Sequence, residues 1–258
     1  MAHKASKKDR LVQIMELLDD HESLEVTWLA EHFGMSDVSI RNDLSVLEDQ
    51  GKLKRQHGRA TIARRSVLEL PLREKELRRK KEKNLIGIAA AALIENGDSV
   101  FLDAGTTTEA LARNLQRHSE VTIFTNGINI VNTLLACTDL RTYFIGGEIC
   151  NRSFATVGDI AEKRIGNYHT KLAFVSADGF SSERGISNNS SQANRIAIEY
   201  LMNTTKRVLL ADSSKSGMIC PFHLCNFDTI DVLVTDEGLS EDDRKTIESY
   251  GTEIIIAR

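Results

Sequence analysis

The sequence predicts a two-part α/β protein: an N-terminal winged helix-turn-helix, then an α/β domain built on a largely parallel sheet. Three observations carry this. From about Asn84 onward, short apolar runs alternate with amphipathic stretches, the rhythm of parallel strands and covering helices. Gly, Asp, Thr and Asn gather where those apolar runs end. Before residue 66, three short helical patterns lead into a basic hairpin pattern around Gly58.

The first helix is "RLVQIMELL" (Arg10 to Leu18), with Leu11, Ile14, Leu17 and Leu18 inward. "SLEV" is a short extended piece. "TWLAEHFG" is a second helix, capped by Thr27 and closed by Gly34. A short turn leads into "MSDVSIRNDLSVLEDQG" (Met35 to Gly51), the order of a helix-turn-helix. Ser36 is a good N-cap, and Asp37 suits the positive end of the helix dipole. Ile40, Leu44 and Leu47 follow at spacings of four and three and share one face. At about 100° per residue, Val38, Asn42 and Ser45 point the other way, flanked by Ser39 and Arg41. Amide and hydroxyl groups suit base edges, and a methyl-bearing residue suits thymine. Taken alone, the same face reads equally as a solvated surface with one stray valine. The neighbours favour DNA. "KLKRQHGRATIARR" places Leu53 and Ile62 around a turn at Gly58, a two-stranded wing. From Lys52 to Arg65 it carries six Lys or Arg and no Asp or Glu, as phosphate contacts require.

Residues 1–65 therefore form the expected DNA-binding domain and 66–83 a linker. Pro71 interrupts the linker, and seven basic against three acidic residues follow it up to Lys83. That charge run reads as a solvated segment turning helical. Residues 84–258 form the second domain. "NLIGIAAAALI" is a buried helix. "SVFLDAG", "VTIFTNG", "RTYFIGG", "KLAFVSADG", "RVLLADSSK", "IDVLVTDEG" and "TEIIIAR" are strands, with amphipathic helices between most of them. Ligands of such sheets bind at the carboxyl ends of the strands. The first such end, "DAGTTT", passes from strand to helix. Gly105 lets the backbone come close, and Thr106, Thr107 and Thr108 supply hydroxyls at a helix N-terminus that favours a phosphate. Gly and Thr at such a turn also serve for capping alone. Neither a P-loop nor a dinucleotide fingerprint is present. Arg152 and Lys215 are candidate cations for a sugar phosphate.

Composition sets bounds. A length of 258 residues suits one small and one medium domain. A net charge of −4 argues against an indiscriminate nucleic-acid binder, and residues 1–65 hold eleven basic and eleven acidic side chains. Only the wing is strongly basic, so local placement matters more than the sum. No apolar stretch of membrane-spanning length and no signal-peptide core are seen, which predicts a cytoplasmic protein without a membrane partner. Disulfides are then not expected among Cys137, Cys150, Cys220 and Cys225. "CPFHLC" lacks a second ligand pair, so no metal is expected, and no cofactor.

"SDVSIRNDLSVLEDQGKLKRQHGRA" resembles the signature of the DeoR family of bacterial transcriptional regulators, roughly S-x-x-T-I-R-R-D-L-x-x-L-E-x-x-G-x-hydrophobic-x-R-x-H-G-G-A. Ser36, Ile40, Arg41, Asp43, Leu44, Leu47, Glu48, Gly51, Arg55, His57, Gly58 and Ala60 match. Ser39 stands for threonine, Asn42 for a common arginine and Arg59 for the second wing glycine. If that glycine holds φ > 0, Arg59 strains the wing tip; it also offers a further phosphate contact. "LDAGTTT", "TN", "GG", "GD", "ADG" and "ADSSK" resemble the family's effector domain in the same order. The resemblance implies a fold like ribose-5-phosphate isomerase. It also implies a pocket holding Asp103, Gly105, Thr106, Thr107, Thr125, Asn126, Gly146, Gly147, Asp178, Gly179 and Lys215. Where the family often has Glu and Lys after the Asp-Gly turn, this chain offers Ser191 or Gln192, and Arg195.

The function expected is a regulator, a repressor of sugar or sugar-derivative catabolism released by a phosphorylated intermediate. Ser36, Val38, Ser39, Arg41, Asn42, Ser45, Arg55, His57 and Arg59 face double-stranded operator DNA, and the protein works as a homo-oligomer. The alternative is a sugar-phosphate isomerase with a DNA-binding appendage. Enolisation needs a general base. Asp103 and Asp178 are available, but the helix position lacks its Glu, and a helix-turn-helix explains nothing about an isomerase. No catalytic residue is therefore expected.

Overall fold

The computed structural model describes residues 7–21, 23–49, 53–56, 58–62 and 71–258. Gly51 and His57 lie outside them. The chain divides into two compact units, Met1–Leu68 and Glu69–Arg258.

The first unit runs α1 (Lys7–Asp20), β1 (Ser23–Glu25), α2 (Val26–Phe33), α3 (Asp37–Asp49), β2 (Leu53–Gln56) and β3 (Arg59–Ile62). Ile14, Leu18, Leu29, Ile40, Leu44, Leu47, Leu53 and Ala60 form its core, each at most 2% exposed. Across it, Arg10 Nε donates to the buried Asp43 carboxylate at 2.6 Å and locks α1 to α3. Two details differ from expectation. The cap of α2 is Glu25 rather than Thr27, and no side chain makes a cap hydrogen bond; Val26 is drawn into the helix because it packs in the core. The wing has three strands rather than two. The "SLE" piece pairs antiparallel with β3, giving the order β1-β3-β2. Gly34 ends α2 in the left-handed conformation, φ 59°, where glycine carries no Cβ penalty.

The second unit opens with two helices, α4 (Leu72–Leu77) and α5 (Lys80–Ala91). Residues 71–83, read as part of a linker, are thus folded into this unit. Leu72 and Lys83 are buried, and Lys75 pairs with Asp178. The charge run suggested a solvated segment because its charges have partners that are distant in sequence.

All seven expected strands form one parallel sheet: β4 (Ser99–Leu102), β5 (Thr122–Thr125), β6 (Arg141–Phe144), β9 (Thr170–Ser176), β12 (Thr204–Leu210), β14 (Val232–Asp236) and β15 (Glu253–Ala257). Their order is β15-β14-β12-β9-β4-β5-β6. Alternation along β4 shows two covered faces. Phe101 packs with residues of α8 (Asp159–Ile165), α9 (Ser191–Met202) and α10 (Glu241–Ser249). Val100 and Leu102 pack with α5, α6 (Thr106–Arg113) and α7 (Ile128–Leu134). The short antiparallel pieces were not expected: the pair β7 (Glu148–Cys150) and β8 (Ala155–Val157), and a sheet of β10 (Gly179–Ser181), β11 (Gly185–Asn188) and β13 (Phe222–Cys225).

Candidate functional site

The helix α3 presents a defined outer face. Ser36 Oγ accepts the N–H of Ser39 at 3.3 Å and caps it. Opposite the buried Ile40, Leu44 and Leu47, Val38 is 68% exposed, with Arg41 and Asn42 exposed beside it and Ser39 and Ser45 half-buried. No packing inside the unit explains a valine held out in water.

The wing arginines are engaged within the protein. Arg55 donates its backbone N–H to Glu48 Oε1 (2.9 Å), its Nε to Glu48 Oε2 (2.6 Å) and its Nη1 to the Arg41 carbonyl (3.1 Å). It therefore ties β2 to α3. The backbone and side-chain hydrogen bonds from Arg55 hold the Glu48 carboxyl below its ordinary range. Arg59 donates to Ser23 Oγ (3.0 Å) and Glu25 Oε1 (2.7 Å), so it braces β3 against β1. The strain expected of Arg59 does not arise. The positive φ of the turn falls on Gly58, at 75°, and Arg59 lies in regular strand pairing. His57 lies outside the described residues.

The second site lies where the strand order reverses. β4 sits inside the sheet; the chain moves outward through β5 and β6, then returns to β9 on the other side of β4. Such a switch point opens a crevice at the strand ends. Asp103 follows β4, and its N–H donates to the Phe174 carbonyl of β9 (3.0 Å). Its Oδ1 accepts the Ala104 N–H (2.8 Å) and its Oδ2 the Ser176 N–H (3.4 Å). Burial pushes the Asp103 carboxyl up to about 7, against the opposing pull of those two amides and of Lys75, and with Asp178 adding to the rise. Asp178 follows β9. Burial raises it too, but the charge and hydrogen bond of Lys75 (2.7 Å), the charge of Lys215 and the Asn189 N–H (3.0 Å) outweigh that and hold it below its ordinary value. The Asp178 N–H donates to Asn188 Oδ1 (3.0 Å). A Cβ on Gly105 would stand 2.8 Å from Ser176 Oγ, so the turn after β4 comes close to the Ser176 side chain at the end of β9. Thr106, Thr107 and Thr108 open α6 and are buried. The first N–H groups of a helix lack intrahelical acceptors.

One cation contacts these carboxylates and two more act on the cluster by charge. Lys75 comes from α4. Lys83, 7% exposed, comes from α5. It donates to the Lys75 carbonyl and, at 2.7 Å, to the Arg78 carbonyl. Burial pulls Lys83 down to about 8, opposed by Asp212 and assisted by Lys215, Lys75 and Arg78. Lys215 follows β12, next to the buried Asp212.

Other expected pocket residues have the following surroundings. Thr125 Oγ1 accepts the Gly127 N–H (3.0 Å) and is fully buried. Asn126 is held by the Tyr200 hydroxyl and the Thr156 carbonyl. A Cβ on Gly147 would meet the Val157 carbonyl at 2.7 Å, and one on Gly179 would collide with the Met218 carbonyl; Gly146 has open space. Arg152 is exposed, and its carbonyl accepts the Leu72 N–H (3.1 Å). Arg195 pairs with Glu162 at 2.8 Å. Lys75, Lys83, Asn188 and Asn189 were missed. For Lys83 a signal existed: it shares the stripe of Ile86 and Ala90 at helical spacing. Burial pushes the Cys225 thiol up to about 12. Among the described residues no group of three or more His, Cys, Asp or Glu is placed to hold a metal, and no helix is long and apolar enough to cross a membrane.

Comparison with known proteins adds to this geometry. The family model of the DeoR-like helix-turn-helix domain matches residues 10–66, and that of the DeoR C-terminal sensor domain matches residues 78–237. The chain is 32% identical to a transcriptional repressor assigned to the aga operon of Escherichia coli O157:H7, over 96% of this chain and 93% of that one. It is 30% identical to the glycerol-3-phosphate regulon repressor of Escherichia coli K12, over 86% and 88%. Among solved structures it is similar to ribose 5-phosphate isomerase A of Methanocaldococcus jannaschii, with a TM-score of 0.39 and 15% identity over 53% of this chain and 54% of that one.

Proposed function

The chain belongs to the DeoR family of transcriptional regulators, and on that premise we propose that it represses a sugar or sugar-derivative catabolic operon and is released by a phosphorylated intermediate. Val38, Asn42 and Ser45 read bases in the major groove, with Ser36, Ser39 and Arg41 beside them. His57 and the wing arginines Arg55 and Arg59 add backbone contacts or hold the wing in place. The effector binds where β4 and β9 diverge. The observation that carries this reading is the buried Lys75–Asp178 pair at 2.7 Å, with Asp103 beside it and the charges of Lys83 and Lys215 acting on Asp212 and Asp178, next to the glycine-threonine turn that opens α6. The turn and cations suit a phosphate, and the carboxylates suit sugar hydroxyls. Thr106, Thr107, Thr108 and Gly105 approach the anion, and Asp103 and Asp178 the hydroxyls. The protein acts in the cytoplasm as a homo-oligomer, since a two-fold protein matches a palindromic operator.

The test is a thermal-shift screen of sugar phosphates and their free parents. A hit is then titrated against an operator duplex that the protein has selected from a random pool. A phosphorylated sugar should release the duplex while its parent does not; equal potency of the two removes the phosphate anchor. One observation favours an isomerase: Asp103, held near neutrality, has the character of a general base. We assign it to binding instead, because the helix after the Asp-Gly turn offers Ser191 and Gln192 where an acid would stand. Aldose–ketose turnover at enzyme-like rates would reverse that assignment.

A further inference from the structure

The basic segment between the two units ends inside the effector site. α4 is the first described element after the boundary at Leu68. Several contacts fix it. Lys75 Nζ lies 2.7 Å from Asp178 Oδ1, with both side chains largely buried. The Leu72 N–H donates to the Arg152 carbonyl (3.1 Å). Lys83 Nζ donates to the carbonyls of Lys75 and Arg78 and so closes the C-terminal end of α4. Leu72 itself is buried. The corner between α4 and α5 is Arg79 at φ 50°, a left-handed conformation that costs a non-glycine residue free energy. Glu76 also lies 3.4 Å from Arg113 Nη2 of α6, and the Arg73 guanidinium stands 5.9 Å over the Phe154 ring, so polar and charged contacts dominate the attachment of the strap.

From this geometry we propose that Lys75 is an effector ligand, and that its exchange between Asp178 and the bound anion is what moves the strap. The inference rests on the function proposed above and adds its transmission step. Asp178 accepts from Lys75 at 2.7 Å. A phosphate dianion carries more charge and more acceptor atoms than a carboxylate, so it competes for the same ammonium. Lys75 lies on α4, and moving its Nζ off Asp178 removes the contact that ties α4 to the end of β9. In sequence, α4 is the described element of the effector unit that comes first after the DNA-binding unit. A ligand can bias DNA binding only by preferring one arrangement, and two competing acceptors for one lysine supply two arrangements.

The experiment uses the full-length chain, the selected operator duplex and a panel of glycerol 3-phosphate, D-ribose 5-phosphate, D-glucose 6-phosphate and D-tagatose 6-phosphate. Lys75→Gln keeps the stem and removes the charge. It should bind the active sugar phosphate about tenfold or more weakly, as loss of a charge-assisted contact does. Without ligand it should also hold the duplex at the weaker level of ligand-saturated wild type. Hydrogen exchange on wild type reads the strap directly and does not depend on the variant folding. The amides of Leu72, Glu74, Lys75 and Arg78 should exchange faster once the sugar phosphate is bound. Wild-type affinity and responsiveness in Lys75→Gln, or unchanged exchange at those amides on ligand binding, overturns the inference while leaving the function intact. If no sugar phosphate shifts or releases the wild-type protein, the function itself fails, and this inference with it.

Discussion

Asp103 shows how one buried side chain links stability to function. Its carboxyl rises from 3.8 to about 7 on folding, burial being the largest cause. The sign follows from proton counting. Between those values the folded chain holds a proton that the unfolded chain has released, so stability falls as pH rises. The contribution is complete below about pH 4 and lost by about pH 7. The rise sets a ceiling of roughly 4 kcal/mol, since each pKa unit is worth about 1.4 kcal/mol. Asp103→Asn carries no such proton. Melting curves at pH 4.5 to 8.5 should show the variant gaining on wild type as pH rises, with the gap flat above about pH 7.5. A constant gap across that range would mean that Asp103 is ionised throughout. Asn42 makes a second prediction at this scale. It is exposed, on the face opposite the core. Asn42→Ala should cost about 1–3 kcal/mol on the preferred site only, as loss of a bidentate base contact does. Equal loss on specific and random duplexes would assign Asn42 to the backbone.

At the scale of elements, the wing and α3 act as one piece. The sequence alone gave Arg55 a phosphate. The structure gives it Glu48 and the Arg41 carbonyl, at 2.6 and 3.1 Å. The two roles separate in Glu48→Gln. If Arg55 braces the wing, this variant should lose operator affinity as Arg55→Ala does. If Arg55 serves a phosphate, removing the competing carboxylate should leave affinity equal or higher, and a gel-shift titration at one salt concentration decides. The same elements show what can be read from sequence. The inner parallel strands are largely apolar runs because both faces of the sheet are covered there, and such runs stand out; the edge strand β6 is exposed. The pieces β7, β8, β10, β11 and β13 are three or four residues long and mix polar with apolar residues, so no apolar run marks them. The turn at Asp103 and Gly105 was legible because Gly, Asp and Thr concentrate at a strand end. Lys75 was not, because its partner Asp178 is 103 residues away, and nothing local marks a lysine whose partner comes from another strand. Thr125 and Asn126 have internal partners that sequence did not reveal. They stand at a strand end, yet their polar atoms are used inside the fold.

For the whole molecule, the two units must share one free-energy difference. The chain carries a net charge of −4, so affinity for DNA comes from a local face. Arg41→Ala should then lower the salt slope of binding by about one per protomer. The effector acts through coupling, and coupling is reciprocal. If a saturating sugar phosphate weakens operator binding by some factor, saturating operator must weaken sugar-phosphate binding by the same factor, expected at about 5- to 150-fold. Lys215 tests the link. Its charge acts on Asp178 and Lys83. Lys215→Ala should bind the operator as wild type does, yet respond to the ligand only at much higher concentration, the behaviour of a super-repressor. Titration calorimetry of the sugar phosphate with and without the duplex, for wild type and Lys215→Ala, gives both factors. Matching factors in wild type place derepression in the equilibrium between two arrangements of the chain. A ligand that weakens operator binding but binds equally well to free and operator-bound protein would break the reciprocity, and the release would then have to come from a second event, such as a change of assembly state.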